Sequence, residues 1–120
     1  MLKRWSLPIV LVYVIALTYG SIGNVSDIPK LGFSFDDKIY HFLAYAILMA
    51  LLFNYVLTTS VKNKVLLSAG IAIIYGIIIE GLQSILTDFR TPDYFDVLAN
   101  TAGVIFVILL LRFKKKLKLK

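Results

Sequence analysis

Four long apolar runs, each broken by a short polar stretch, dominate the chain. They cover roughly 7–22, 39–58, 65–86 and 95–113. A bilayer-crossing helix takes ~20 consecutive apolar residues, so each run is read as a transmembrane helix. Pro8 falls in the first turn of the first run, where proline is tolerated. The pattern predicts an all-α membrane protein: a single domain over residues 1–120, built as a four-transmembrane-helix bundle. No internal repeat is visible, and the only low-complexity stretch is the basic tail.

Composition agrees. Hydrophobic residues make up 59% of the 120 and charged residues 17%, against about 45–50% and about 25% in soluble domains. The net charge of +6 raises nucleic-acid binding, but the placement of the charges argues against it. Ten of the 13 basic residues lie before the first run, between the second and third, or from the last turn of the fourth onward, where no acid accompanies them. Short loops rich in Lys and Arg stay cytoplasmic. That puts both termini and the middle loop in the cytoplasm and the other two connections outside. The tail then reads as a topology anchor touching anionic lipid. A cleavable signal peptide is the alternative for the first run, but the apolar stretch is long and the cleavage context near Gly20 and Ser21 is poor.

Polar residues interrupt this hydrocarbon in a pattern. Glu80, in the third run, is followed one turn later by Gln83, with Ser84 at the border of that face. With the third helix running outward, Glu80 lies about 9 Å below its end at 1.5 Å per residue. Asp37, His41 and Tyr45 recur every four residues at the start of the second run and share one helix face. Asp96, Asn100 and Gly103, spaced four and three residues apart, share one face at the start of the fourth. Three helices thus bring polar residues to the same depth, in the outer leaflet. Ionisable groups inside a membrane face the bundle interior or a wet cavity. One outward-opening pocket is therefore expected, with Glu80 and His41 lining it and Asp96 and Asn100 opposite. Lys38 and Arg90 would supply positive charge at its rim, and Gly76, Gly81 and Gly103 would let the helices approach closely.

Blander roles compete. Thr91 and Pro92 look like an N-cap and first helical position, with Asp93 as a first-turn acid. Ser34 and Asp36 would cap the second helix. Trp5, Tyr40, Tyr45 and Tyr94 suit an aromatic belt. His41 could be an interfacial histidine with a satisfied ring, Asn100 an interhelical bond, and Glu80 half of a structural salt bridge to Arg90. The chain has no cysteine and one histidine, so no metal site and no cofactor is expected. Any chemistry would use His41 and carboxylates.

The stretches "DKIYHFLAYAIL" (Asp37–Leu48) and "EGLQSILTDFRTPDYFDVLANTAG" (Glu80–Gly103) resemble the VanZ-like family of small bacterial membrane proteins. Its pattern is similar to D-K-x-x-H-x-x-x-Y, then E-x-x-Q, then R-x-x-D-x-x-D-x-x-x-N-x-x-G. Asp37, Lys38, His41, Tyr45, Glu80, Gln83, Arg90, Asp93, Asp96, Asn100 and Gly103 occupy those positions. Val107 stands where many members carry a second glycine. The resemblance implies a multi-pass protein of the bacterial plasma membrane. It also implies a link to teicoplanin-type glycopeptide resistance, teicoplanin being the glycopeptide with a fatty acyl chain.

Three functions follow as expectations. In the first, the pocket binds a lipidated or lipid-linked amphiphile of the cell envelope, with membrane lipid as the other partner. Asp37, Lys38, Tyr45, Gln83, Arg90, Asp93 and Asn100 would contact the ligand. In the second, the protein is a transferase or hydrolase acting on a lipid-linked substrate. Glu80, partly desolvated, would be its acid or base, His41 the partner and Asp96 or Asp37 the group orienting His41. In the third, it is an accessory or proton-coupled transport subunit, which would need a second copy or another partner because four short spans leave little room for alternating access. A homo-oligomer is compatible with all three.

Overall fold

A computed structural model of the protein describes residues 3–22, 36–86 and 94–118. These form four helices: α1 (Lys3–Ile22), α2 (Asp36–Val56), α3 (Lys64–Leu86) and α4 (Tyr94–Lys118). Among the described residues there is no strand. Helices follow from the medium: in hydrocarbon every backbone polar group must be paired within the chain, and a helix does this locally.

The connection between α2 and α3 shows how the ends are closed. The Thr58 and Thr59 hydroxyls each donate at 2.7 Å to the last carbonyls of α2, those of Tyr55 and Val56. Asn63 then caps α3, its Oδ1 accepting from the Leu66 N–H at 3.1 Å. This turn closes α2 at Val56, slightly before the expected end of the second run. At the other extreme, α4 continues beyond Phe113 into the lysine-rich tail, where cations suit the negative end of the helix dipole.

The first helix departs most from expectation. It begins at Lys3, so Pro8 lies in its second turn rather than its first. Its apolar stretch, Arg4–Gly20, is shorter than the usual bilayer span. Three helices, α2, α3 and α4, are long and apolar enough to cross a membrane.

The two central helices are α2 and α3. They touch each other, and both α1 and α4 pack against the pair, but α1 and α4 do not meet. Val10, Leu48, Met49, Ala72 and Val104 form the centre of the buried core. The core is thin: only 33% of the α3 span is buried inside the protein. Large residues such as Val12, Ile15, Ile74 and Ile85 point outward. A water-soluble protein rarely exposes apolar patches this continuous, whereas lipid accepts them.

Between α2 and α4 the packing is close at Gly103. A Cβ there would collide with the Phe42 carbonyl oxygen and lie 3.0 Å from the Ala46 nitrogen. Gly103 thus lets α4 rest directly on the α2 backbone, as small residues do in membrane bundles. Gly81 plays no such part: it is exposed, and a Cβ there meets nothing within 4 Å. The close-approach role expected for it is corrected accordingly.

On the α1 side, tyrosine hydroxyls join the helices. Tyr13 donates to the Ala44 carbonyl at 2.6 Å. Tyr75 and Thr18 share a hydrogen bond between α3 and α1. Interhelical bonds of this kind hold helices together where no hydrophobic force acts between them.

Candidate functional site

At one end of the bundle, the start of α2, the end of α3 and the start of α4 converge. Their antiparallel order puts residues 38–45, 76–80 and 96–103 side by side. All the described polar candidates from the sequence fall in this region.

Lys38 and Asp96 pair across α2 and α4, with the ammonium 2.6 Å from Asp96 Oδ1. The carboxylate is the more deeply buried partner, at 8% exposure against 29% for the lysine side chain. Lys38 therefore does not stand alone at a rim; it turns in to neutralise a buried acid, which would otherwise be costly.

His41 lies one turn further along α2, between two groups of α4. Its Nδ1 is 2.8 Å from Asn100 Oδ1. Its Nε2 is 3.7 Å from Asp96 Oδ2, beyond direct hydrogen-bond reach but close for an electrostatic contact. The spacing explains the fit. Asp96 and Asn100 are four residues apart on one face of α4, so they bracket the two ring nitrogens of a histidine presented by α2. Asn100 is buried at 3% exposure, which fixes that side of the ring. Of the two aspartates expected to orient His41, Asp96 lies at this distance, while the Asp37 side chain is outside the described residues; Asn100 joins Asp96, a role toward the histidine that was not legible from spacing.

Glu80 is buried at 8% exposure on α3. It engages other groups, and it lies near enough to the Tyr45 hydroxyl for their charges to interact. Tyr45 itself is 2% exposed, in the core. It is an interior residue rather than a member of a lipid-facing aromatic belt. One turn below Glu80, Gly76 makes room for two side chains: a Cβ there would lie 3.1 Å from the Tyr45 ring and 3.2 Å from Asn100 Nδ2. Gly76 is therefore where all three helices meet.

Arg90 and Asp93 lie outside the described residues, as do Thr91, Pro92 and Ser34. So do the side chains of Asp36, Asp37, Gln83 and Ser84, although their backbones belong to α2 and α3. Whether Arg90 pairs with Glu80 therefore falls outside the description. Among the described residues, no group of three His, Cys, Asp or Glu side chains could hold a metal ion.

Chemically, the cluster is an ion pair, a histidine bracketed by a carboxylate and an amide, and a second buried carboxylate next to a phenol. It can hold a polar head group or move a proton. The model of the VanZ/LLP1 family matches residues 17–115, which takes in the whole cluster. No curated protein and no solved structure matches the chain.

Proposed function

The chain belongs to the VanZ/LLP1 family, and from that premise we propose that it binds the head group of a lipidated or lipid-linked cell-envelope amphiphile. The binding place is the polar cluster, open to the outer face of the bacterial plasma membrane. In this reading α1 crosses as a fourth span and both termini are cytoplasmic, as the lysines and arginines at 3, 4, 62, 64 and 112–120 favour.

One observation carries the proposal. Lys38, His41, Glu80, Asp96 and Asn100 come from three helices to one end of a bundle whose helices expose many large apolar side chains. An amphiphile has the same division: a polar head for the cluster, and a chain for the apolar surface that the helices expose. Arg90, if it reaches the cluster, adds a cation for an anionic head. A glycopeptide with an acyl chain is one such ligand, and a lipid-linked wall precursor is another.

Susceptibility tests the reading. Wild type and Glu80→Gln are expressed at matched membrane levels in a susceptible Gram-positive host and challenged with teicoplanin and vancomycin. Protection against teicoplanin alone, lost in the variant, is the expected result. No protection by well-expressed wild type would remove the antibiotic from the reading, and equal protection against both drugs would remove the acyl chain.

The bracketing of His41 by Asp96 and Asn100 favours a second reading, a transferase or hydrolase acting on a lipid-linked substrate. His41 and Glu80 would exchange the proton. Mass spectrometry of envelope lipids after incubation with the purified protein separates the two: a changed substrate supports the enzyme, and an unchanged, retained one supports binding.

A further inference from the structure

The buried tyrosines of the bundle are not treated alike. Tyr13 donates to the Ala44 carbonyl, and Tyr75 bonds Thr18. Tyr45 is more deeply buried than either, yet its hydroxyl has no hydrogen-bond partner among the described residues. The Asn100 side chain is in the same position: its Oδ1 meets His41 Nδ1, while its Nδ2 has no acceptor among the described residues. Buried donors without acceptors are rare and costly, the more so in hydrocarbon.

The two donors are also neighbours. Asn100 Nδ2 lies 3.2 Å from the Cβ position of Gly76, and the carbon bearing the Tyr45 hydroxyl lies 3.5 Å from that same point. Because Gly76 carries no side chain, α3 allows both groups into one place. Two unpaired donors side by side call for one acceptor. The ionisable group near the Tyr45 hydroxyl is an acid, Glu80, and the cluster's described cation, Lys38, is already committed to Asp96. Burying an anion here would need a compensating charge; a neutral oxygen would not.

We propose that Tyr45 and Asn100 form a subsite, floored by Gly76, for an uncharged carbonyl oxygen of the amphiphile, such as that of an ester or amide linkage joining head group to acyl chain. The proposal rests on the binding reading given above and deepens it. Lys38, His41, Asp96 and Glu80 would meet the polar head, and the Tyr45 hydroxyl and Asn100 Nδ2 would both donate to the linkage oxygen beneath it. The subsite would then measure how deeply an amphiphile enters, by recognising the junction between its polar and apolar parts.

The test uses the purified full chain in detergent, with dioleoyl phosphatidylglycerol and its dialkyl ether analogue as probes. The two lipids share a head group and differ in the carbonyl. The ester lipid should raise the wild-type Tm by about 5 °C more than the ether lipid. Tyr45→Phe should lose that preference, and without lipid it should melt no lower than wild type, because an unpaired donor has been removed. Asn100→Asp keeps an oxygen for His41 but deletes the Nδ2 donor; it too should lose the ester preference. Equal stabilisation of wild type by both lipids would overturn the subsite and leave head-group binding standing. No stabilisation by either lipid would overturn both. A Tyr45→Phe protein that melts lower in detergent alone would show that the hydroxyl already has an acceptor, a buried water included, and would also overturn the subsite.

Discussion

Replacing Gly103 with alanine adds one methyl group at the point where α4 rests on α2. The added carbon would collide with the Phe42 carbonyl oxygen, and it would lie 3.0 Å from the Ala46 nitrogen and 3.2 Å from the Phe42 carbonyl carbon. All three are backbone atoms, so no side chain can swing aside. Relief requires α4 to move off α2 by about 1 Å, and overpacking of this kind costs ~1–3 kcal/mol. The same displacement reaches the site. Asn100 is one turn from Gly103 and His41 is next to Phe42, so the 2.8 Å contact between them opens past the hydrogen-bond limit. Equilibrium unfolding in mixed micelles measures the stability, and lipid-induced thermal shifts report the site. Gly103→Ala should fail on both counts. Gly81→Ala is the control: a Cβ there meets nothing within 4 Å, and alanine is the better helix former by ~1 kcal/mol. A Gly103→Ala protein as stable as Gly81→Ala, with its lipid response intact, would refute the account of α2–α4 packing.

Further outcomes follow from the polar contacts and the topology. Lys38→Met leaves Asp96 buried without its cation and should destabilise by about 1–3 kcal/mol, whereas the double variant Lys38→Met/Asp96→Leu should recover part of that loss; unfolding midpoints of the three proteins decide it. Tyr75→Phe removes the bond to Thr18 and should cost ~0.6 kcal/mol, an average interhelical value in membranes, with Thr18→Val adding little on top in a double-mutant cycle. Because the chain has no cysteine, single cysteines report sidedness cleanly. Phe95→Cys should react with a membrane-impermeant maleimide on intact cells and Lys115→Cys only after permeabilisation, and the reverse pattern would invert the topology.

From the sequence alone, the number and course of the helices were largely readable, because ~20 apolar residues in a row have few other uses. The relative level of the polar groups along the bundle was also readable. Rise per residue converts position along a helix into distance, so His41, Glu80, Asp96 and Asn100 could be placed at one level before any contact was known. Less legible was α1, whose apolar stretch stops at Gly20 and whose hold on the bundle depends on the Tyr13, Thr18 and Tyr75 hydroxyls.

What only the tertiary structure decided was rotation and partnership. In a soluble protein an alternation of apolar and polar positions marks the buried face. In a bundle surrounded by lipid both faces are apolar, and that signal largely vanishes. Hence Tyr45 could be read as a lipid-facing belt residue, although it is interior, and Gly81 and Gly103 looked equivalent, although an added Cβ would strike a neighbouring backbone only at Gly103. Partnership was hidden for a related reason. Lys38 pairs with Asp96, 58 residues away, and His41 meets Asn100, 59 residues away; such choices depend on which helix faces are turned together. The sequence determined which groups are costly to bury and at what level along their helices; only the packing of three helices determined how each is compensated.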